Sequence, residues 1–147
     1  PHCALVYTVC RMSSAPVVSN NPLAQQLLQK LTTRTARTGV VGLGYVGLPL
    51  AVEFGNAGFS VVGIDLDARK VGELNKGVSY IQDVPSEAVA RLVQAGKLTA
   101  TTDPAAAREC DTINICVPTP LRKTKDPDLS YVVSAAEAIE AHLHPGM

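Results

Sequence analysis

This sequence has no apolar run long enough to cross a bilayer, so no membrane partner is expected. The stretch Ala4 to Val9 is too short, and lacks the flanks, to act as a secretory signal. Net charge is lacking too, with 13 Lys and Arg against 13 Asp and Glu. That balance conceals an asymmetry: residues 1 to 38 hold Arg11, Lys30, Arg34 and Arg37 with no acidic residue, which leaves 9 basic against 13 acidic groups for the rest. Cations so few and dispersed do not make a nucleic-acid-binding face. Cys3, Cys10, Cys110 and Cys116 lack metal-ligand spacing, so no metal is expected and a reduced, cytoplasmic protein is the simpler reading. Cys110 and Cys116 lie around an apolar strand, where a thiol behaves as a small hydrophobe, and no His or Lys stands near Cys116 to make it a nucleophile. What is left, 147 residues with 46% hydrophobic and 18% charged content, suits one soluble globular domain.

What the sequence does have is a glycine-rich turn in a telling context. Val40-Val41 runs into Gly42-Leu43-Gly44-Tyr45-Val46-Gly47, the spacing G-x-G-x-x-G. The hexad alone is weak evidence. Here a strand precedes it, a helical pattern from Leu48 to Ala57 follows, and a second apolar strand, Ser60 to Ile64, ends on Asp65, which together describe a dinucleotide-binding βαβ unit. Gly42 lets the chain turn sharply off the strand, Gly44 leaves room for a pyrophosphate, and Gly47 lets the helix pack closely on the sheet. The free N–H groups of the helix start face the phosphates, with the positive end of the helix dipole behind them. Pro49 is tolerated in that first turn.

Asp65 lies 18 residues beyond Gly47, where a carboxylate accepts hydrogen bonds from the adenosine ribose hydroxyls, worth about 1.5–3 kcal/mol. A 2′-phosphate there would meet like-charge repulsion of roughly 1–4 kcal/mol, so NAD is favoured over NADP. The plainer alternative is that Asp65 only ends a strand and opens a turn, with Asp67 as a helix cap. Lys70 is placed to reach the adenosine end of the cofactor; a solvated surface lysine is the alternative.

Three segments are expected: a disordered leader over 1–21, an amphipathic helix over 22–37, and an incomplete Rossmann domain over 38–147. Pro1 in place of methionine marks either a fragment or read-through ahead of a start at Met12. Asn21 and Pro22 open the helix, and Leu23, Leu27, Leu28 and Leu31 recur at helical spacing as a face for docking on the domain, or alternatively on a partner. Further on, a helix from Asp67 to Asn75 turns Val71 and Leu74 inward, and Gly77 to Val84 forms a loop. Ser86 caps a helix from Glu87 to Ala95 that Gly96 ends. Leu98 to Thr102 is a third strand, Asp103-Pro104 opens a short helix through Arg108, and Thr112 to Val117 is a fourth strand. Pro118-Thr119-Pro120 then throws the chain outward at a ligand-binding edge. Asp128 or Ser130 caps a last helix with Val132, Val133, Ala136, Ile139 and Leu143 as its inner face, stopped by Pro145-Gly146. The alternation implies an α/β, doubly wound parallel sheet in the order 3-2-1-4, with the fourth strand an open edge that favours aggregation.

The run from VGLGYVGLPLAVEFGNAGFSVVGIDLDARK through SYIQDVPSE, with ATTD, ICVPTPL, DPDLSYVVSAAEAI and HPGM, closely resembles the amino-terminal domain of the UDP-glucose/GDP-mannose dehydrogenase family; SYIQDVPSE and PDLSYVVSAAEAI look most like the branch acting on UDP-N-acetylhexosamines, with UDP-glucose the alternative substrate. The likeness spans about residues 22 to 147, and GYVGLP with VPTP is its specific part. It implies an NAD-dependent enzyme that oxidises the C6 hydroxyl of a nucleotide-sugar substrate to a carboxylate with two NAD+, through a cysteine-bound thiohemiacetal and thioester, and a parent that is a homo-oligomer. Carried over by position, Gly42, Leu43, Gly44, Tyr45, Val46 and Gly47 hold the pyrophosphate, Asp65 and Lys70 the ribose, and Val117, Pro118, Thr119 and Pro120 the loop beside the cofactor; the alternative for Thr119 is a simple turn residue. The resemblance places the family's catalytic residues beyond Met147, so none is assigned here and the chain alone is expected to be inactive. Two rivals stand beside it: a hydroxyacid or phosphogluconate-type dehydrogenase, against which the VPTP loop and the Tyr80 to Leu98 insertion argue, and a non-catalytic NAD-binding module that docks through the leucine stripe.

Overall fold

The computed structural model describes residues 21–123 and 125–147. The expectations for the leader, for Cys3, Cys10 and Met12 among them, lie outside the described residues. The chain runs α1 (Pro22–Thr32), β1 (Arg37–Val41), α2 (Gly47–Asn56), β2 (Ser60–Ile64), α3 (Ala68–Asn75), α4 (Ser86–Gln94), β3 (Leu98–Thr101), a 3₁₀ turn (Pro104–Glu109), β4 (Thr112–Ile115) and α5 (Ser130–Glu140). The strands form one parallel sheet in the order β3-β2-β1-β4, as the alternation of elements implies. β1 and β2 are short and buried along nearly their whole length, because helices cover both faces of a parallel sheet.

Two apolar clusters flank the sheet. One joins Val40, Val61, Leu98 and Leu43 to Leu48 and Val52 of α2, Leu74 of α3, and Val89 and Leu92 of α4. The other joins Val41, Val62 and Ile64 to Ala107, Cys110 and the α5 residues Ala135 and Ile139. Each fully buried leucine contributes about 1.5–3 kcal/mol of hydrophobic stabilisation.

Several local expectations need correction. The helix expected over 22–37 ends at Thr32; Arg34 turns at φ 59°, and Arg37 already belongs to β1. The leucine stripe does not dock: α1 has no buried residue, Leu23, Leu28 and Leu31 are exposed, and only Leu27 is half-buried. The sheet faces are already covered by α2, α4 and α5, so α1 is tied on by polar contacts instead. Lys30 Nζ pairs with Asp111, and Arg34 Nη1 donates to Ala57 O at 2.6 Å. Ser86 is not the cap but the first residue of α4, whose N-cap position is held by Pro85 with no side-chain cap bond; its hydroxyl accepts the Ser79 N–H at 3.0 Å and pins the 77–84 loop. β4 ends at Ile115 rather than Val117.

On α5 the inner face is Ala135 and Ile139, with Val132 half-buried, whereas Ala136, Val133 and Leu143 are exposed. Neither expected residue is its N-cap. Leu129 holds that place, and Asp128, one residue earlier, accepts the Ser130 N–H at 3.1 Å. Pro145-Gly146 lies beyond the helix end at Glu140.

Asp111 is the buried acid that fastens β1, β4 and α1 together. Oδ2 accepts the Arg37 N–H at 2.8 Å and Oδ1 meets Lys30. Burial alone would raise its pKa, but the Lys30 and Arg37 bonds outweigh that and hold it below the usual 3.8. Its contribution to stability is therefore complete above pH 3.8 and lost as pH falls through the folded value. We predict that Asp111→Asn costs about 1–2 kcal/mol at pH 7, where the exposed Lys30 partner limits the gain. Urea unfolding repeated at pH 5 and pH 3 should show the penalty intact at the first and shrinking at the second.

Candidate functional site

The sheet register brings the site together. Val41 is level with Ile64 on one side and Ile115 on the other, so the chain leaves β1, β2 and β4 at the same carboxyl edge. The ladder continues one step further: Gly42 N–H donates to Ile64 O at 2.8 Å and Cys116 N–H to Val41 O at 2.7 Å. Gly42, Asp65 and Cys116 thus sit side by side, where open α/β sheets take their ligands.

The glycine turn is built by three different constraints. Gly42 has φ +90°, and a Cβ there would lie 2.8 Å from Cys116 O, so both its conformation and the end of β4 demand glycine. A Cβ on Gly44 would meet nothing within 4 Å, which leaves the main chain open to a ligand. A Cβ on Gly47 would fall 1.7 Å from Gly42 O. The third glycine is therefore required chiefly by the turn's own carbonyl; contact with the Cys116 side chain at 3.3 Å is secondary, a revision of the expected role in helix–sheet packing. Leu48 N–H bonds Gly44 O at 3.1 Å, and the N–H groups ahead of it are those that a helix start leaves without intrahelical partners.

Asp65 faces this turn. Oδ2 accepts the Leu43 N–H at 2.7 Å and Oδ1 the Asp67 N–H at 2.9 Å. Lys70 Nζ lies 3.5 Å from Oδ2, so Lys70 is an ion-pair partner of the acid and not a solvated surface lysine. A carboxylate offers about four acceptor sites, of which two are taken by N–H groups. Asp67 does cap α3, accepting from Arg69 N–H at 2.9 Å. The two readings of the Asp65–Asp67 pair are thus compatible.

An apolar cleft of about 560 Å³ runs along this edge, within the range of small-molecule sites. Gly42, Gly44, Tyr45, Val46, Asp65, Lys70, Val117 and Pro118 line it; Leu43, Gly47, Thr119 and Pro120 do not. Leu43 is fully buried in the core, and Thr119 and Pro120 are exposed, with Pro120 O accepting the Asp128 N–H at 2.7 Å.

Residues that sequence reasoning did not assign complete the walls: Leu66 after the acid, Thr102 and Pro104 after β3, and Tyr131, Ser134 and Ala138 of α5. Of these, position at a strand end was the available signal for Leu66 and Thr102. Nothing in the sequence marks the α5 residues. Tyr80, read only as part of a loop, donates its hydroxyl to Leu43 O at 2.8 Å. Burial, then the carboxylates of Asp65, Asp67 and Glu73, push its phenol well above the ordinary tyrosine value, so it remains a donor. Cys116 also lines the cleft; burial raises its thiol pKa, which disfavours the thiolate.

Comparison with known proteins bears on the family and the fold. The profile of the UDP-glucose/GDP-mannose dehydrogenase family, NAD binding domain, matches residues 36–146. A UDP-N-acetyl-D-glucosamine 6-dehydrogenase of Pseudomonas aeruginosa is 40% identical over 110 residues, 75% of this chain and 25% of that protein. A UDP-N-acetyl-D-mannosamine dehydrogenase of Salmonella typhi is 38% identical over 73% of this chain and 25% of its own length. The chain thus spans about a quarter of the curated relatives it matches. Among solved structures, the NDP-N-acetyl-D-galactosaminuronic acid dehydrogenase of Methanosarcina mazei Go1 superposes with a TM-score of 0.70 at 31% identity, over 82% of this chain and 28% of that one. A ternary complex of GDP-mannose dehydrogenase from Pseudomonas aeruginosa gives 0.66 at 34% identity, over 70% and 24%.

The unequal glycines make a direct test. Gly47→Ala should destabilise the protein severely or prevent folding, because its methyl group collides with backbone. Gly44→Ala should unfold within about 0.5 kcal/mol of the wild type, as substitutions into open space do. Thermal melts monitored by circular dichroism would separate the two.

Proposed function

Since the chain belongs to the UDP-glucose/GDP-mannose dehydrogenase family, matched through its NAD-binding domain, we propose that its carboxyl-edge cleft holds NAD in the service of a nucleotide-sugar 6-dehydrogenase acting on UDP-N-acetylhexosamines. The observation that carries this is the junction of the glycine turn and Asp65 in one cleft, with Leu43 N–H on the carboxylate at 2.7 Å. The residues fit the cofactor. Gly44 leaves an uncovered stretch of main chain, the start of α2 supplies N–H groups and a positive dipole end for a diphosphate, and about two acceptor sites of Asp65 remain for the ribose hydroxyls. Leu66, Thr102 and Pro104 give an apolar flank to the adenosine side, while Val117 and Pro118 border the side nearer β4. When bound, NAD supplies the hydride acceptor.

This chain's own part is to orient that group and to exclude the wrong one. Asp65 selects against a 2′-phosphate by like charge, a discrimination that Lys70 moderates because it sits on the same oxygen. The UDP-N-acetylhexosamine substrate rests on the names of the relatives. The hydroxyacid-type alternative loses ground to the family match, and the exposed α1 leucines are the observation that favours a docking role for that helix.

Titration with NAD and NADP tests the reading. We expect the wild type to prefer NAD by at least about tenfold, the equivalent of roughly 1.4 kcal/mol. Asp65→Ala should weaken NAD by a similar factor and strengthen NADP, since the like-charge repulsion is gone and Lys70 then faces the 2′-phosphate alone. A wild type that binds neither dinucleotide, or an Asp65→Ala protein with unaltered preference, would remove the proposal.

A further inference from the structure

Leu43 is the residue between the two flexible glycines of the turn, and it is held at three points. Its side chain is fully buried against Gly63 of β2, where an added Cβ would lie 2.8 Å from both Leu43 methyl groups. Its N–H is taken by Asp65. Its carbonyl is taken by the Tyr80 hydroxyl at 2.8 Å, across 37 positions of sequence. Tyr80 packs its ring against the core cluster of α2, α3 and α4, and the 77–84 loop that carries it is pinned in turn by Ser86.

The third tether matters because of peptide geometry. In a trans peptide the carbonyl of one residue and the N–H of the next point in opposite directions, and the described backbone has no cis bond. A Leu43 carbonyl drawn toward Tyr80 therefore aims the Gly44 N–H away from Tyr80; Gly44 lines the cleft and Tyr80 does not. Glycine at position 44 gives that peptide little resistance of its own to flipping. A flipped peptide would present a carbonyl oxygen where an anion needs a donor.

We propose that Tyr80 is a positioning residue for diphosphate binding: its hydroxyl locks the Leu43–Gly44 peptide so that the Gly44 N–H stays aimed into the cleft. This rests on the reading that the turn holds a dinucleotide diphosphate. Phenylalanine keeps the packed ring and removes only the bond.

Titration of wild type and Tyr80→Phe with NAD, ADP and adenosine tests the proposal, because only the first two carry a diphosphate. Loss of one hydrogen bond should weaken NAD and ADP by about 3- to 10-fold, with adenosine within about twofold. Equal weakening of all three, or no change in NAD and ADP, would overturn it. A second measurement does not depend on the cofactor: in the ligand-free Tyr80→Phe protein, NMR relaxation dispersion should reveal exchange at the Gly44 amide on the microsecond-to-millisecond scale, absent from the wild type and from β1. If the wild type fails to bind NAD, the diphosphate reading falls, and an unbroadened Gly44 amide would then discard the tyrosine lock as well.

Discussion

The parallel pairing of β1 between β2 and β4 is the constraint on which the rest of the molecule depends. With Val41 level with both Ile64 and Ile115, three chain exits are forced to one edge. Gly42 is then pressed against the Cys116 carbonyl on one side and the Ile64 carbonyl on the other. A register slip of one residue would turn every side chain of a strand to the opposite face and pull Asp65 away from the turn. The apolar clusters on the two faces resist such a slip, so packing remote from the cleft sets the geometry within it.

Asp65 has two duties that are physically linked. It presents acceptor sites to the cleft, and it already holds the Leu43 N–H and the Asp67 N–H. One carboxylate thus joins the glycine turn to the end of β2 and also fastens the start of α3. Lys70, 3.5 Å away, offsets part of the charge that would otherwise sit half-buried and unopposed. The opposite end of β1 is organised in a similar way by Asp111, which gathers Arg37 and Lys30. An acid beside each end of β1, Asp111 buried and Asp65 half-buried, thus ties that strand to its neighbours at both edges of the sheet.

The periodic and local features could be read directly along the chain. The order β3-β2-β1-β4, the bounds of β2, the cap at Asp67 and the left-handed Gly42 follow from alternating apolar runs, side-chain chemistry at helix starts and the steric needs of a tight turn. The leucine stripe of α1 misled, because helical spacing reports amphipathicity and not whether a sheet face is free to receive it; those faces were filled by α2, α4 and α5. The inner face of α5 was misplaced for a related reason. Val133 and Leu143 are more apolar than Ala135, yet the small alanine is the residue that fits against the 3₁₀ turn and the sheet.

Twelve residues carried forward as the cofactor site divided in the folded molecule. Eight line the cleft, whereas Leu43 and Gly47 are buried behind the turn without lining it and Thr119 and Pro120 stand outside it. The sequence by itself determined the turn, the acid and their separation, because a glycine spacing and a strand-end carboxylate are local facts of about thirty contiguous residues. Only the tertiary structure decided that Tyr80 reaches Leu43 from 37 residues away and that α5 forms a wall of the cleft. Contacts of that kind depend on how helices settle on a twisted sheet, and the linear pattern of apolar residues does not encode that settling.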